Sequence, residues 1–133
     1  MLLPHGTVIA LVDGEKFELF RNSGNEAEPE LAEMLAPILD SHNHSGGSHR
    51  STPGNHADSL VEEGAHAIAA VDWLNRQVLG HKISDLVVIA APRTLGEMRQ
   101  HYHKQTEAVL RGELNKDLAG RSGPEIIAAL REK

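Results

Sequence analysis

The sequence predicts an α/β domain built on a mixed, five-stranded sheet, and three observations carry that prediction. Two segments rich in β-branched and aromatic residues, TVIALV at 7–12 and KFELFR at 16–21, flank an Asp13-Gly14 pair. An unbroken apolar run, DLVVIAA at 85–91, lies between two stretches of helical periodicity. Beyond it, helix and strand signals keep alternating to the last residues. The first observation gives antiparallel pairing near the N-terminus. The other two give parallel strands joined through helices by right-handed crossovers.

Taken in order, the 7–12 and 16–21 segments form a hairpin across Asp13-Gly14, a dipeptide that tolerates positive φ. The polar stretch 22–29 (NSGNEAEP) is a turn. Residues 30–39 (ELAEMLAPIL) place Leu31, Leu35 and Leu39 at helical spacing, but Pro37 breaks a helix there. We therefore expect a third strand at 34–39, completing a meander. A helix over 57–79 follows, opened by a capping box at Ser59-Leu60-Val61-Glu62 or by Asn55 or Asp58. Its apolar face reads Leu60, Gly64, Ile68, Val71, Leu74 and Val78, and Gly80 stops it. The run at 85–91 is a strand buried on both faces. Thr94-Leu95-Gly96-Glu97 is a second capping box, starting a helix that buries Leu95, Met98 and Tyr102. Residues 109–114 make a last strand. Gly123-Pro124 begins a closing helix, with proline in its first turn and Ile126, Ile127 and Leu130 inward. The order β-β-β-α-β-α-β-α is the ribonuclease-H-like topology.

At 133 residues one domain is the default, able to bury roughly two-thirds of its unfolded surface. Aromatics are scarce, so Leu, Ile, Val and Ala must build the core. The absence of cysteine excludes disulfides and thiolate metal sites and suits a reducing compartment. The N-terminus MLLPHGTV lacks the basic region and apolar run of a signal peptide. No stretch approaches the roughly 18 apolar residues of a spanning helix. We expect a cytoplasmic protein without membrane insertion. Charge is unevenly placed: residues 1–66 hold 11 acids against 3 bases, net −8, and residues 67–133 hold 8 acids against 10 bases, net +2. A mildly basic C-terminal half can face phosphate while the acidic half faces away. A solubilising surface is the plainer reading of the same numbers.

Residues 40–56, DSHNHSGGSHRSTPGNH, are the most unusual stretch, with four histidines, three glycines, a proline and no large apolar side chain. Such a segment is an exposed loop, too long at 17 residues to be a plain connector. His42, His44, His49 and His56 have imidazoles that can ligate zinc, nickel or copper. A Ser/Gly-rich loop offers little to hold the rings in place, so solvated histidines are the plainer reading. We expect no cofactor, adventitious divalent metal at these histidines aside. Gly46-Gly47 lets the backbone approach another molecule closely. No phosphate-loop or dinucleotide pattern surrounds the pair. The carboxylate cluster of a two-metal nuclease is missing from the first strand, where Asp13 lies in the turn and Glu18 is the other acid nearby. There is no Gly-x-Ser-x-Gly elbow.

Arg93, Thr94, Arg99 and Lys104 lie on or just after the helix that follows the central strand. At its N-terminus, backbone N–H groups and the helix dipole favour an anion. These residues, with Lys116 in the Asn115-Lys116-Asp117 cluster, are the candidate contacts for phosphate or RNA. A local turn bonded by Asp117 is the other reading of that cluster.

Three blocks of the chain are recognisable: TVIALVDGEKFELFRN at 7–22, LVVIAAPRTLGEMRQHYHK at 86–104 and VLRGELNKDLAG at 109–120. Over nearly its whole length the chain resembles the host attachment protein family, small bacterial proteins named as required for attachment to host cells. The family typically carries proline-arginine-x-leucine-glycine, here Pro92-Arg93-Thr94-Leu95-Gly96. It also carries a later acidic-lysine-aspartate-leucine, matched here by Lys116-Asp117-Leu118, with Asn115 where aspartate is usual. That family is similar in turn to the central domain of archaeal and eukaryotic peptide-chain release factors, in which a Gly-Gly-Gln loop enters the ribosomal peptidyl-transferase centre. The matching loop here reads Gly46-Gly47-Ser48-His49, without the glutamine that promotes peptidyl-tRNA hydrolysis. The resemblance implies a non-catalytic or weakly catalytic module associated with RNA, with the ribosome or tRNA as partner. Two alternatives stay open: a factor acting through an unidentified protein partner in host or surface attachment, and a metal-assisted hydrolase using the loop histidines.

Overall fold

The computed structural model describes residues 1–39 and 56–132. Within them a mixed five-stranded sheet carries four helices, in the order β1 (Val8–Val12), β2 (Phe17–Asn22), β3 (Leu31–Met34), α1 (His56–Leu79), β4 (Leu86–Ala90), α2 (Pro92–Arg99), α3 (Lys104–Val109), β5 (Leu110–Leu114) and α4 (Gly123–Arg131). The strands lie in the order β3-β2-β1-β4-β5. The first three form an antiparallel meander, and β4 and β5 run parallel to β1 and to each other. This is the predicted α/β sheet, and its order is compatible with the ribonuclease-H-like topology.

The two central strands explain the unbroken apolar runs. Val8, Ala10 and Val12 of β1, with Leu86, Val88 and Ala90 of β4, face a core completed by α1 and α2. Ile9 and Leu11, with Val87 and Ile89, face a second core closed by Leu3 and by Ile126 and Leu130 of α4. Side chains alternate with a period of two, so a strand covered on both sides is apolar at every position. In the closing helix Ile126 and Leu130 are buried and Ile127 is half-buried. Pro124 sits in its first turn, preceded by a Ser122–Glu125 capping box that the sequence reading passed over. The Ser122 N–H and hydroxyl, with Arg121, hold the Glu125 carboxyl below its ordinary range.

Four elements differ from the sequence reading. The third strand occupies Leu31–Met34, not 34–39, pairing Leu31 with Asn22 and Met34 with Leu19. Its start is set by Asn22, whose side chain holds the Glu30 N–H at 3.0 Å. Its end comes before Pro37, which has no N–H to give a ladder. Helix α1 begins at His56, so Ser59 lies inside it and not at a cap. Its buried face is Ala67, Ala70, Val71, Leu74 and Val78, while Ile68 is only half-buried. The helix thus rests on alanines, which let it lie close to the sheet. It ends at Leu79, as expected, and beyond it Lys82 N–H reaches Gln77 O at 2.9 Å and His81 N–H reaches Val78 O at 3.0 Å. In that arrangement the left-handed position falls on His81 (φ 61), not on Gly80.

The segment after β4 departs most. Helix α2 starts at Pro92, with Ala91 as its cap and no side-chain cap bond, so Thr94 is inside the first turn. Proline at the first position needs no N–H partner and sets φ for the helix. The helix stops at Arg99, and Tyr102 lies beyond it. A separate short helix, α3, then precedes β5, which begins at Leu110. The break is stabilised from α1: Asn75 Nδ2 donates to His101 O at 3.1 Å, and its Oδ1 accepts from His103 N–H at 3.0 Å and Thr106 Oγ1 at 2.6 Å. A tertiary contact, invisible to local patterning, divides what reads as one helix.

Candidate functional site at the carboxyl edge of the sheet

The chain leaves β1 toward β2 and β3 on one side and returns through α1 to β4 on the other. In open α/β sheets a ligand crevice lies outside the carboxyl ends of strands at such a change of direction. Val12 pairs with Ala90, so Asp13 and Ala91 follow side by side at this edge. The elements meeting there are the 13–16 turn, the early part of α1, the first turn of α2 and the residues after β5.

The 13–16 turn is built on the side chain of Asp13. Asp13 Oδ1 accepts the N–H groups of Glu15, at 2.7 Å, and of Lys16. Its backbone N–H reaches Lys16 O at 3.0 Å. This carboxylate is therefore spent on its own loop. His66 of α1, buried at 8% exposure, lies 2.8 Å through Nδ1 from the carbonyl oxygen of Asp13. A carbonyl only accepts, so Nδ1 carries the hydrogen, and the ring ties the start of α1 to the hairpin. The sequence reading passed over His66. Its signal was a lone histidine within GAHAIAA, among the alanines of a buried face.

At the start of α2, the Arg93 and Thr94 N–H groups fall in a first turn without a side-chain cap. Arg93 is exposed, and among the described residues it makes no ion pair or hydrogen bond through its side chain. Ile89 pairs with Leu114, which brings the residues after β5 level with those after β4. There Asp117 Oδ1 accepts Ala119 N–H at 3.2 Å, a local turn, and Lys116 Nζ lies 3.7 Å from Glu132 of the α4 cap. Arg93, Thr94 and Lys116 thus share the carboxyl edge.

Arg99 and Lys104 do not join them. Arg99, at the far end of α2, donates through Nε to Glu113 Oε1 at 3.0 Å. Lys104 opens α3 beyond it. The hydroxyl of Tyr102 donates to the other oxygen of Glu113 at 3.3 Å. Burial, then the charge and hydrogen bond of Glu113, push the phenol well above its ordinary 10.0, with Arg99 opposing. A raised pKa in the folded state gives stability that is complete below the unfolded value and is lost as pH rises through the folded one. Tyr102 is the one tyrosine in the chain, so absorbance at the phenolate band reads it alone. The native protein is expected to stay un-ionised at pH values where the urea-unfolded chain has titrated near pH 10. Coincident curves would refute the Glu113 contact.

Gly46, Gly47, Ser48, His49, His42, His44 and the side chain of His56 lie outside the described residues. Among the described residues no three His, Asp or Glu gather so as to hold a metal ion, and no helix is long and apolar enough to cross a membrane. The model of the bacterial archaeo-eukaryotic release factor family 12 matches residues 6–130. No curated protein matches the chain.

Proposed function

The chain belongs to bacterial archaeo-eukaryotic release factor family 12, and on that premise we propose that it is a release-factor-like module that binds the ribosome or tRNA with little or no catalysis of its own. The observation that carries this reading is the family match over 125 residues, from 6 to 130. The uncapped first turn of α2 and Arg93, which has no partner among the described residues, support it, because both present positive charge at the edge where such sheets bind ligands. Lys116, paired with Glu132 at 3.7 Å, lies on the same edge. In this reading Gly46-Gly47-Ser48-His49 is the tip that a release factor presents as Gly-Gly-Gln, and Ser48 removes the glutamine.

Co-sedimentation with bacterial ribosomes tests the binding. At 50 mM salt the protein is expected in the ribosomal pellet, and by 300 mM most of it returns to the supernatant, as phosphate contacts require. Arg93→Glu weakens the binding about tenfold or more. Formyl-methionine stays on its tRNA in the presence of the wild-type protein. A protein that ignores ribosomes and tRNA at the lowest salt is not such a module.

A role in attachment to host cells is a separate reading, supported by the Pro92-Arg93-Thr94-Leu95-Gly96 and Lys116-Asp117-Leu118 blocks. A deletion strain that attaches normally removes its basis.

A further inference from the structure

Some bases of this domain are paired and others are not. Arg99, Arg111, Lys116 and Arg121 are paired with Glu113, Asp85, Glu132 and Glu125. Arg76, Lys82 and Lys104 are exposed and make no ion pair or side-chain hydrogen bond among the described residues. All three lie on elements that meet at the amino edge of the parallel strands, the end of the sheet opposite Arg93. Arg76 follows Asn75 and Lys104 follows His103, and Asn75 Oδ1 accepts the His103 N–H at 3.0 Å. Lys82 is folded back over the last turn of α1 by its N–H bond to Gln77 O at 2.9 Å. The left-handed His81, just before Lys82, is exposed, as is His103. From Asn75 to Leu79 the helix rises only about 6 Å, so Arg76 and the residues that follow α1 share its carboxyl end, which meets the start of α3.

We infer that this amino-edge patch, Arg76, His81, Lys82 and Lys104, is a second contact for RNA phosphates, distinct from the carboxyl edge. The inference rests on the RNA-binding reading and extends it: the domain is gripped at the end of the sheet opposite the carboxyl edge.

The chemistry favours a phosphate backbone over other anions. Of the nearby acids, Asp85 is held by Arg111 at 2.7 Å and Asp72 has an interaction of its own, which leaves Glu107 as the exposed acid of α3. No aromatic face is offered for stacking: the hydroxyl of Tyr102 is turned to Glu113, and Trp73 packs edge-on to Phe17. Contacts of this kind position a nucleic acid without reading its sequence. A lipid surface fits less well, because among the described residues Leu79 is the single large apolar side chain exposed at this end of α1, far short of an inserting face.

The test compares the wild type, the triple variant Arg76→Glu/Lys82→Glu/Lys104→Glu and the single variant Arg93→Glu. Each is titrated with fluorescein-labelled bulk tRNA between 50 and 300 mM salt, and with vesicles of phosphatidylglycerol and phosphatidylethanolamine. The triple variant is expected to stay folded, since among the described residues none of these side chains makes an ion pair or hydrogen bond. It should bind tRNA at least tenfold more weakly, with the salt dependence flattened by about two in slope. Wild-type affinity and slope in the triple variant, with loss in Arg93→Glu, would overturn the inference and leave the RNA-binding reading standing. A wild type that binds neither tRNA nor ribosomes overturns the reading itself, and the patch with it. Vesicle binding lost in the triple variant, without tRNA binding, assigns the patch to lipid and overturns it as an RNA contact.

Discussion

Replacing Asn22 with alanine is expected to lower the stability of the domain by about 3 kcal/mol. Asn22 is completely buried at the end of β2, and its amide is the hub of the segment between β2 and β3. Nδ2 donates to Leu3 O at 2.8 Å, and Oδ1 accepts from the N–H groups of Gly24 at 2.9 Å and Glu30 at 3.0 Å. Removing the amide leaves a buried carbonyl on Leu3 without its donor, at a cost of about 1–3 kcal/mol. The Gly24 and Glu30 N–H groups lie nearer the surface, where water replaces part of what they lose. The 22–30 loop has little room to relax: a Cβ on Gly24 would collide with the carbonyl oxygen of Glu28. Urea unfolding followed by circular dichroism measures the loss. Asn22→Asp separates the two halves of the amide, since it keeps the acceptor and removes the donor. It also buries a charge, which raises the pKa of the new carboxyl in the folded state. That variant should therefore be less stable at pH 7 than near pH 4, opposite in sign to a carboxylate held by a cation. An Asn22→Ala protein within about 1 kcal/mol of the wild type would mean that the loop is organised by its backbone alone.

What the sequence made legible follows from which interactions are local. The central strands were readable because burial on both faces leaves an unbroken apolar run, and the hairpin because Asp13 bonds within its own turn. Helix α4 was readable from Gly123-Pro124. The third strand was misplaced because Leu31–Met34 reads as LAEM, half-buried and without alternation. Its position is dictated from elsewhere, by Asn22. Likewise the split between α2 and α3 depends on Asn75, 26 residues before His101, and no window of helical periodicity spans that distance. The candidate site divides in the same way. Arg93 and Thr94 could be named from their place at a helix start. That Arg99 belongs to Glu113 and that Arg76 and Lys82 lie beside Lys104 depends on how α1 packs against α2 and α3. Pairing and companionship of charges are tertiary facts, and the order of residues does not contain them.

The same dependence on packing fixes the second large effect, which distinguishes two faces of α1. Leu74→Ala is expected to cost about 3–4 kcal/mol and Ile68→Ala about 1 kcal/mol. Periodicity places both on the buried stripe, but Leu74 is fully buried against the sheet and Ile68 is only half-buried. Around Leu74 the helix presents alanines at 67 and 70 and valines at 71 and 78, with Val8, Ala10 and Leu86 among the buried residues of the same core. The alanines and valines on its own helix are too short to fill the space a missing leucine leaves, so a cavity adds its cost to the lost transfer free energy. For a domain whose total stability is of order 5–15 kcal/mol, Leu74→Ala removes a large part and Ile68→Ala little. Circular dichroism is the preferred probe, because Trp73 adjoins the mutated site and its fluorescence would report the local change. Equal losses at the two positions would show that α1 sits rotated from the face described, with Ile68 as deep as Leu74. It would also swing Asn75 away from His101 and His103, so the pair of variants tests the contact that brings Arg76 and Lys104 together.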